Sequence, residues 1–180
     1  DSHFIFGDAC TAIILERADL VTNTQKAFEL VSAKLITQFS NNIRNNAGFL
    51  NRCDESGLNK EDKLFVQEGR RVFKEVCPLV AQLISSELEK NAIAPEAVSR
   101  FWLHQANLSM NQLIARRVLG RQPTEEEAPV ILDTYANTSS AGSIIAFHLH
   151  QANLAAGSLG VICSFGAGYS AGCLVVKKLG

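Results

Sequence analysis

The sequence lacks the features that point to a nucleic acid, a membrane or a disulfide framework. Its 180 residues include 17 Lys or Arg and 18 Asp or Glu, so the net charge of -1 provides no basic field for nucleic acid. No apolar run reaches the roughly 20 residues that a membrane span needs. The five cysteines are odd in number and show no C-x-x-C spacing, which argues against disulfides and a zinc site and predicts a reducing, cytoplasmic location.

What the chain does have is enough apolar material for one well-buried domain. Hydrophobic residues make up 47% of it and charged residues only 19%, which predicts a globular α/β core. The chain begins with Asp1 rather than Met, and residues 4–6 are already typical of a strand. We therefore expect a piece of a longer protein.

The first third of the chain favours strands, followed by a polar segment. Residues 4–6, 12–16 and 28–36 are rich in β-forming residues, and the last of these runs follows a polar turn, so a hairpin is predicted. Residues 38–63 are rich in Asn, Asp, Glu, Ser and Gly and too numerous for a simple turn. They are predicted to form a surface excursion or lid.

The remainder alternates between helical and strand patterns. Apolar residues recur every three or four positions over residues 64–91, which predicts a long amphipathic helix that Pro78 kinks. The order of elements predicts an open α/β sheet covered by helices. The further predicted elements are strand 98–103, helix 108–119 closed by Gly120, helix 142–156 closed by Gly157, and strands 159–165 and 172–179.

Three places in this pattern carry groups that suit the stabilisation of an oxyanion. His104 follows a buried strand, Asn137 precedes a helix, and a glycine turn separates the last two strands. A neutral imidazole and a carboxamide each offer N–H donors, and the turn can offer backbone N–H groups. Each also has a structural interpretation: a packed histidine, an N-cap or turn asparagine, and an ordinary hairpin.

Taken together, five motifs resemble those of one enzyme family. They are Phe6-Gly7-Asp8, Gly69-Arg70-Arg71-Val72-Phe73-Lys74, His104-Gln105-Ala106-Asn107-Leu108, Asn137-Thr138-Ser139 and Phe165-Gly166-Ala167-Gly168. The chain resembles the C-terminal half of a thiolase-fold condensing enzyme of the β-ketoacyl-ACP synthase III type. The resemblance covers nearly the whole chain, and residues 38–63 are its least familiar part.

The resemblance implies a fold and a division of the enzyme. It implies a thiolase-like α/β architecture, one half of the duplicated fold, with a five-stranded mixed sheet packed with helices. Residues 1–180 would form the C-terminal half-domain. The N-terminal half, which carries the nucleophilic Cys in this family, would be absent from this chain.

The resemblance also implies a Cys-His-Asn triad to which this chain contributes His104 and Asn137. In that family these two residues support decarboxylation of malonyl-ACP and the Claisen condensation that follows. Elongating ketoacyl synthases use two histidines, and thiolases use a His and a second Cys. Asn137 therefore restricts the resemblance to synthase III and chalcone-synthase-like enzymes. Gly166, Ala167 and Gly168 would form part of the oxyanion hole, with the Ala167 amide as the donor.

Partners and binding residues follow from the same resemblance. The donor would be an acyl carrier protein or a CoA thioester, the enzyme a homodimer, and no metal or cofactor is expected. The family commonly has a basic residue where this chain has Ser109, and its glycine-rich region reads Ala9-Cys10-Thr11-Ala12 here. The residues expected to contact substrate or carrier are Asn107, Arg116, Arg117 and Phe73.

Several alternatives stay open at this point. Arg116 and Arg117 also fit an ordinary solvated helix face. The parent protein could be an acyltransferase or specialised-metabolite synthase of the same fold, or a non-catalytic partner subunit. Cys10 is a weak candidate for a substitute nucleophile, because no family motif places the reactive thiol there. Without the missing cysteine, the isolated chain is predicted to be inactive.

Overall fold

The fold is built on a four-stranded mixed sheet in the order β1-β6-β5-β4. The computed structural model describes residues 5–45, 55 and 65–180. Its strands are β1 (Phe28–Ser40), β2 (Ile43–Asn45), β3 (Phe65–Gln67), β4 (Val98–Leu103), β5 (Leu159–Gly166) and β6 (Gly168–Lys178). Its helices are α1 (Gly69–Lys90), α2 (Leu108–Leu119), α3 (Leu132–Tyr135) and α4 (Ala141–Leu149), with short 3-10 turns at Ala18–Leu20 and Pro95–Ala97.

The sheet combines parallel and antiparallel neighbours. β5 and β6 form an antiparallel hairpin, β4 joins β5 in parallel, and β1 lies antiparallel to β6 at the other edge. β2 and β3 form a separate two-stranded ribbon. The predicted class, a mixed sheet packed with helices, is confirmed, although the described residues form four strands in the main sheet rather than five.

Helix α1 covers one face of the sheet with its apolar side, beside α2. The long amphipathic helix is confirmed, and Pro78 lies within it without ending it. Apolar burial of this kind contributes roughly 1.5–3 kcal/mol per large side chain. The buried residues of α1 are Val72, Val76, Cys77, Val80, Ala81, Leu83, Ile84, Glu87 and Leu88.

Helix α2 begins and ends where the sequence predicts. The Asn107 side chain caps it by accepting a hydrogen bond from the Met110 N–H at 2.9 Å. It ends at Gly120, whose φ of 68° is the left-handed conformation that glycine adopts without a Cβ clash. Strand β4 runs over the predicted residues 98–103, so the turn that carries His104 is held between two regular elements.

Helix α4 lies on the other face of the sheet, against Trp102. The Trp102 indole is fully buried and meets the Phe147 ring edge to face, with centroids 4.9 Å apart. Gly160 on β5 leaves the space for the indole, because a Cβ there would lie 2.2 Å from Trp102 Cζ3. None of the helices in the described ranges is long and apolar enough to cross a bilayer.

The predicted N-terminal hairpin is wrong. Residues 12–16 lie outside any strand, and Phe6 makes a single parallel bridge with Asn137. The predicted strand 28–36 is real but runs to Ser40, and it pairs with β6 from the far end of the chain. A β-rich pattern shows where a strand forms but carries no information about its partner.

Several other predicted boundaries are also wrong. Residues 38–40 end β1 and 43–45 form β2, so the polar excursion starts later than predicted; its residues 46–54 and 56–63 lie outside the described ranges. The predicted helix 64–91 begins only at Gly69, because residues 65–67 form β3.

Two boundaries near the end of the chain also differ from the prediction. Helix α4 stops at Leu149 rather than 156, and Gly157 lies in the turn before β5, where its N–H donates to the Lys178 carbonyl. Strand β6 starts four residues before the predicted position 172.

The Gly160–Trp102 contact gives a direct test of this packing. Gly160→Ala places a methyl group inside the indole, and we expect it to lower the free energy of unfolding by about 1–3 kcal/mol. Chemical denaturation of the protein carrying this chain measures the change. Gly69→Ala is the matched control, because a Cβ at that helical position meets nothing within 4 Å. Equal stability of the two variants would contradict the packing described.

Candidate active site

A cavity of about 930 Å³ opens at the ends of β4 and β5 and gathers the polar groups singled out by the sequence. His104, Asn137, Gly166 and Ala167 all line it, and Asn107 lies beside them. His104 follows β4, Ala167 follows β5, and Asn137 follows the short helix α3. Three segments distant in the sequence therefore meet in one place.

The remaining predicted site residues lie elsewhere. Phe73 packs against the hydrophobic core from α1, and Gly168 begins β6 with a φ of 138°. Arg116 and Arg117 are exposed in the last turn of α2, where cations favour the negative end of the helix dipole. None of these four is among the residues that line the cavity, so a role in binding for them stays a prediction.

The His104 imidazole is buried and uncharged at neutral pH. Its side chain is 7% exposed and meets the Phe165 ring edge to face at 4.7 Å between centroids. Burial lowers the pKa of His104 from 6.5 to about 4, although a hydrogen bond with the Ser139 backbone partly opposes this. The Nδ1 atom is buried and has no hydrogen-bond partner among the described residues.

The Asn137 carboxamide is oriented by its own turn. Its Oδ1 accepts a hydrogen bond from the Ser139 N–H at 3.0 Å, which confirms the turn interpretation and leaves Nδ2 as the donor available to a ligand. Ala136 and Ser139, on either side, both have a φ near 55°. Such conformations cost about 1 kcal/mol or more in a non-glycine residue and are typical of functional sites.

The segment that carries Asn137 is also held from the N-terminal side. The Asn137 N–H donates to the Ile5 carbonyl at 3.1 Å, and its own carbonyl accepts from the Gly7 N–H at 3.1 Å. A Cβ on Gly7 would lie only 2.4 Å from the Tyr135 carbonyl oxygen, so this close approach requires glycine. The Phe6-Gly7-Asp8 motif therefore supports the site through its backbone.

The turn of residues 166–168 between β5 and β6 is followed by a buried tyrosine that the sequence analysis did not identify. Tyr169 is 1% exposed, lines the cavity, and donates its hydroxyl to Glu75 Oε2 at 2.8 Å. Asn42 Nδ2 donates to the same carboxylate at 2.9 Å and to the Tyr169 hydroxyl at 3.1 Å. This network joins the β1–β2 turn and α1 to the residue directly after Gly168.

The other walls of the cavity are largely apolar. Ile36 comes from β1, Val72 and Val76 from α1, and Met110 from α2. The sequence analysis missed this wall because these side chains belong to elements far apart in the chain. Their periodic spacing signals burial but not which cavity they face. The arrangement places the His104 and Asn137 side chains in the lining of a largely apolar cavity.

No described cysteine lines this cavity, so the described residues supply donors but no thiol nucleophile. Cys10 is exposed, whereas Cys77, Cys163 and Cys173 are buried in the core. Burial raises the pKa of Cys77 to about 11, although the Arg117 guanidinium lowers it, so this thiol is unreactive at neutral pH. Within the described ranges, no cluster of His, Cys, Asp and Glu could hold a metal ion.

Comparison with protein families decides what kind of domain this is. Residues 88–178, which contain His104, Asn137 and the glycine turn, match the family described as 3-oxoacyl-[acyl-carrier-protein (ACP)] synthase III C terminal. The chain belongs to this family. The C-terminal half of a synthase III-like enzyme, as the motifs implied, is thereby confirmed.

The synthase III domain has relatives across bacteria. It is 65% identical over 178 residues to the beta-ketodecanoyl-[acyl-carrier-protein] synthase of Pseudomonas aeruginosa, covering 99% of this chain and 51% of that protein. It is 27% identical over 180 residues to the beta-ketoacyl-[acyl-carrier-protein] synthase III of Chlorobaculum tepidum, covering 96% and 52%. The chain thus spans about half the length of these relatives.

Solved structures confirm the thiolase-type fold. The synthase III of Aquifex aeolicus superposes with a TM-score of 0.68 at 20% identity, over 87% of this chain and 46% of that one. The synthase III of Thermus thermophilus superposes with a TM-score of 0.67 at 24% identity, over 89% and 49%. At these identities the likeness concerns the fold alone.

The burial of His104 predicts how it titrates. We expect its imidazole to change protonation near pH 4 in an NMR titration, with its resonances assigned by their loss in His104→Gln. Because the unfolded chain binds that proton near pH 6.5, the free energy of unfolding should fall by up to about 3 kcal/mol between pH 6.5 and 4. An imidazole that titrates near 6.5 would contradict the burial described.

Proposed function

We propose that this chain is the C-terminal half of a condensing enzyme that joins an acyl thioester to malonyl-ACP with loss of carbon dioxide. One observation carries the proposal: the neutral His104 imidazole and the Asn137 carboxamide line one cavity beside the Ala167 turn. Two neutral N–H donors aimed at one carbonyl oxygen stabilise an enolate without introducing a charge of their own.

The missing half would supply the cysteine thiolate. The acyl group is transferred to that sulfur, and the original thiol leaves. His104 and Asn137 then donate hydrogen bonds to the thioester oxygen of the malonyl group. The bond between the α-carbon and the carboxylate breaks, carbon dioxide departs, and the electron pair of the broken bond forms the enolate. The enolate carbon attacks the acyl-cysteine, the Ala167 amide donates to the developing oxyanion, and the sulfur leaves. The product is a β-ketoacyl thioester two carbons longer.

The acyl donor that we propose is a medium-length chain. The relative that shares 65% of the sequence carries beta-ketodecanoyl in its name, and removing the two malonyl-derived carbons leaves an eight-carbon acyl group. The apolar wall formed by Ile36, Val76 and Met110 provides the surface that such a chain needs. Both observations support a donor longer than acetyl.

The partners follow from the same chemistry. The thioester arrives on acyl carrier protein or CoA, and the exposed Arg116 and Arg117 at the end of α2 present positive charge to either one. The complete enzyme would act as a cytoplasmic homodimer, and the free thiols of the described cysteines suit a reducing compartment. The 180-residue chain alone is expected to show no turnover, because the thiol comes from the other half.

The alternatives differ in what they predict for the site. A non-catalytic partner subunit would not need His104 and an oriented Asn137 carboxamide in one cavity, so their placement favours a catalytic domain. An acyltransferase of the same fold would transfer the acyl group without releasing carbon dioxide. Measuring carbon dioxide and the β-keto product separates the two activities.

Substitution of the two donors tests the reaction. In the complete enzyme, His104→Ala and Asn137→Ala should each lower the rate of malonyl decarboxylation by roughly a hundredfold or more, because each removes one oxyanion donor. Transfer of the acyl group to the cysteine should be much less affected. His148→Ala is the matched control, since that histidine is exposed on α4. Wild-type decarboxylation in either donor variant would defeat the proposal.

The chain length of the donor is tested separately. We expect kcat/KM for an eight-carbon acyl thioester to exceed that for acetyl by roughly tenfold or more, because each buried methylene contributes about 0.8 kcal/mol. Competition between the two thioesters, with the β-keto products resolved by mass, gives the ratio. A preference for acetyl would remove the medium-chain donor while leaving the condensing activity in place.

A further inference from the structure

Gln105 is a fully buried side chain that joins two segments of the site. Its Nε2 donates to the Leu103 carbonyl at 2.9 Å and to the Pro129 carbonyl at 3.4 Å. Its Oε1 accepts from the Ile131 N–H at 3.1 Å. The side chain is 0% exposed, so these bonds have no competition from water. The carboxamide uses both of its N–H groups and connects the end of β4 to residues 129–131.

The bond to Ile131 controls where the Asn137 segment begins. Ile131 directly precedes helix α3, and its carbonyl accepts from the Tyr135 N–H at 3.0 Å. The chain then turns through Ala136, with a φ of 54°, into Asn137. Fixing the Ile131 N–H therefore fixes the start of a short, tightly bonded path to the Asn137 carboxamide.

Gln105 also contacts the far end of that segment. A Cβ built on Gly142, in the first turn of α4, would lie 3.0 Å from Gln105 Cβ and 3.2 Å from Thr138 Oγ1. The α4 backbone thus packs directly against the Gln105 side chain. One residue, adjacent to His104 in the chain, touches the path to Asn137 both before and after it.

From this geometry we propose that Gln105 is a positioning residue that sets the placement of the Asn137 carboxamide relative to the His104 imidazole. Gln105 itself does not line the cavity and touches no substrate. Its effect on rate rests on the condensing function proposed above, whereas its effect on the His104 environment does not. A misplacement of about 1 Å between two catalytic groups can cost a hundredfold in rate.

Replacing Gln105 with glutamate makes the positioning depend on pH. The carboxylate of Gln105→Glu would face the carbonyl oxygens of Leu103 and Pro129, so burial and repulsion favour its protonated form and raise its pKa. Protonated, it donates one hydrogen bond and still accepts from the Ile131 N–H, as the amide does. Ionised, it repels both carbonyls and releases the segment.

The kinetic test uses the complete enzyme. For Gln105→Glu we expect kcat to fall roughly tenfold to a hundredfold at about pH 8 and to recover several-fold at about pH 6, with KM for the acyl thioester little changed. The wild-type enzyme should lack this acid recovery. A kcat equal to wild type at both pH values would overturn the positioning role.

Asn111→Asp provides the matched control. Asn111 is a second buried amide, 2% exposed on α2, whose side-chain atoms have no hydrogen-bond partner among the described residues. The same amide-to-carboxyl change there should lower stability but cause no acid-recoverable loss of kcat. An identical pH profile in both variants would reduce Gln105 to a general structural role and overturn the proposal. If Gln105→Glu does not fold, Gly142→Ala is measured instead, because its added Cβ would press against the Gln105 side chain. An unchanged kcat in that variant would also overturn the positioning role.

A measurement independent of activity separates this proposal from the proposed function. By NMR, the His104 imidazole of Gln105→Leu, which cannot form these hydrogen bonds at any pH, should titrate at a higher pH than in the wild type, because the released Ser139 segment admits water. If the wild-type enzyme shows no condensation, the proposed function fails, and this titration alone decides the role of Gln105. An unchanged His104 titration in that case would overturn it.

Discussion

The burial of one uncharged imidazole is the constraint on which the rest of the site depends. His104 remains neutral because Phe165 and the surrounding segments exclude water from it. If water entered, the imidazole would regain a pKa near neutrality and carry a charge for part of the time. The hydrogen bonds of Gln105, the bridge between Phe6 and Asn137, and the Tyr169–Glu75 contact all hold segments around it.

This neutrality has a free-energy cost that the fold offsets elsewhere. The unpaired His104 Nδ1 and the positive φ values of Ala136 and Ser139 are each unfavourable by about 1 kcal/mol or more. The close packing of β4, β5 and α1 supplies the compensating burial. Local conflicts of this kind are typical of functional sites.

The sequence predicted those parts of the fold that local patterns determine. Strand β4, helix α2 with its Gly120 terminus, and the long helix α1 follow from periodicity and capping, which act within a few residues. The motifs that flank His104 and Asn137 predicted that these residues share a site, and the structure places them in one cavity. Their chemical roles stay predictions until the substitutions are made.

What the sequence could not predict depends on contacts between distant segments. The partner of β1, the apolar wall from Ile36 and Val76, and the bonds of Gln105 to Pro129 and Ile131 join residues with no periodic relation. Polar residues within a strand-to-helix turn are common, so Gln105 carried no signal of its own. Only its complete burial distinguishes it.

The pairing of β1 with β6 also determines when the cavity can form while the chain is being synthesised. Its register begins with Phe28 opposite Lys178, so the edge of the sheet closes only after nearly all of the intervening chain has been made. Contacts of such long sequence separation form slowly. A nascent chain that stops before β6 leaves β1, with its exposed Leu35 and Phe39, as an unpaired apolar strand. An unpaired apolar strand of this kind is prone to aggregation until β6 has been made.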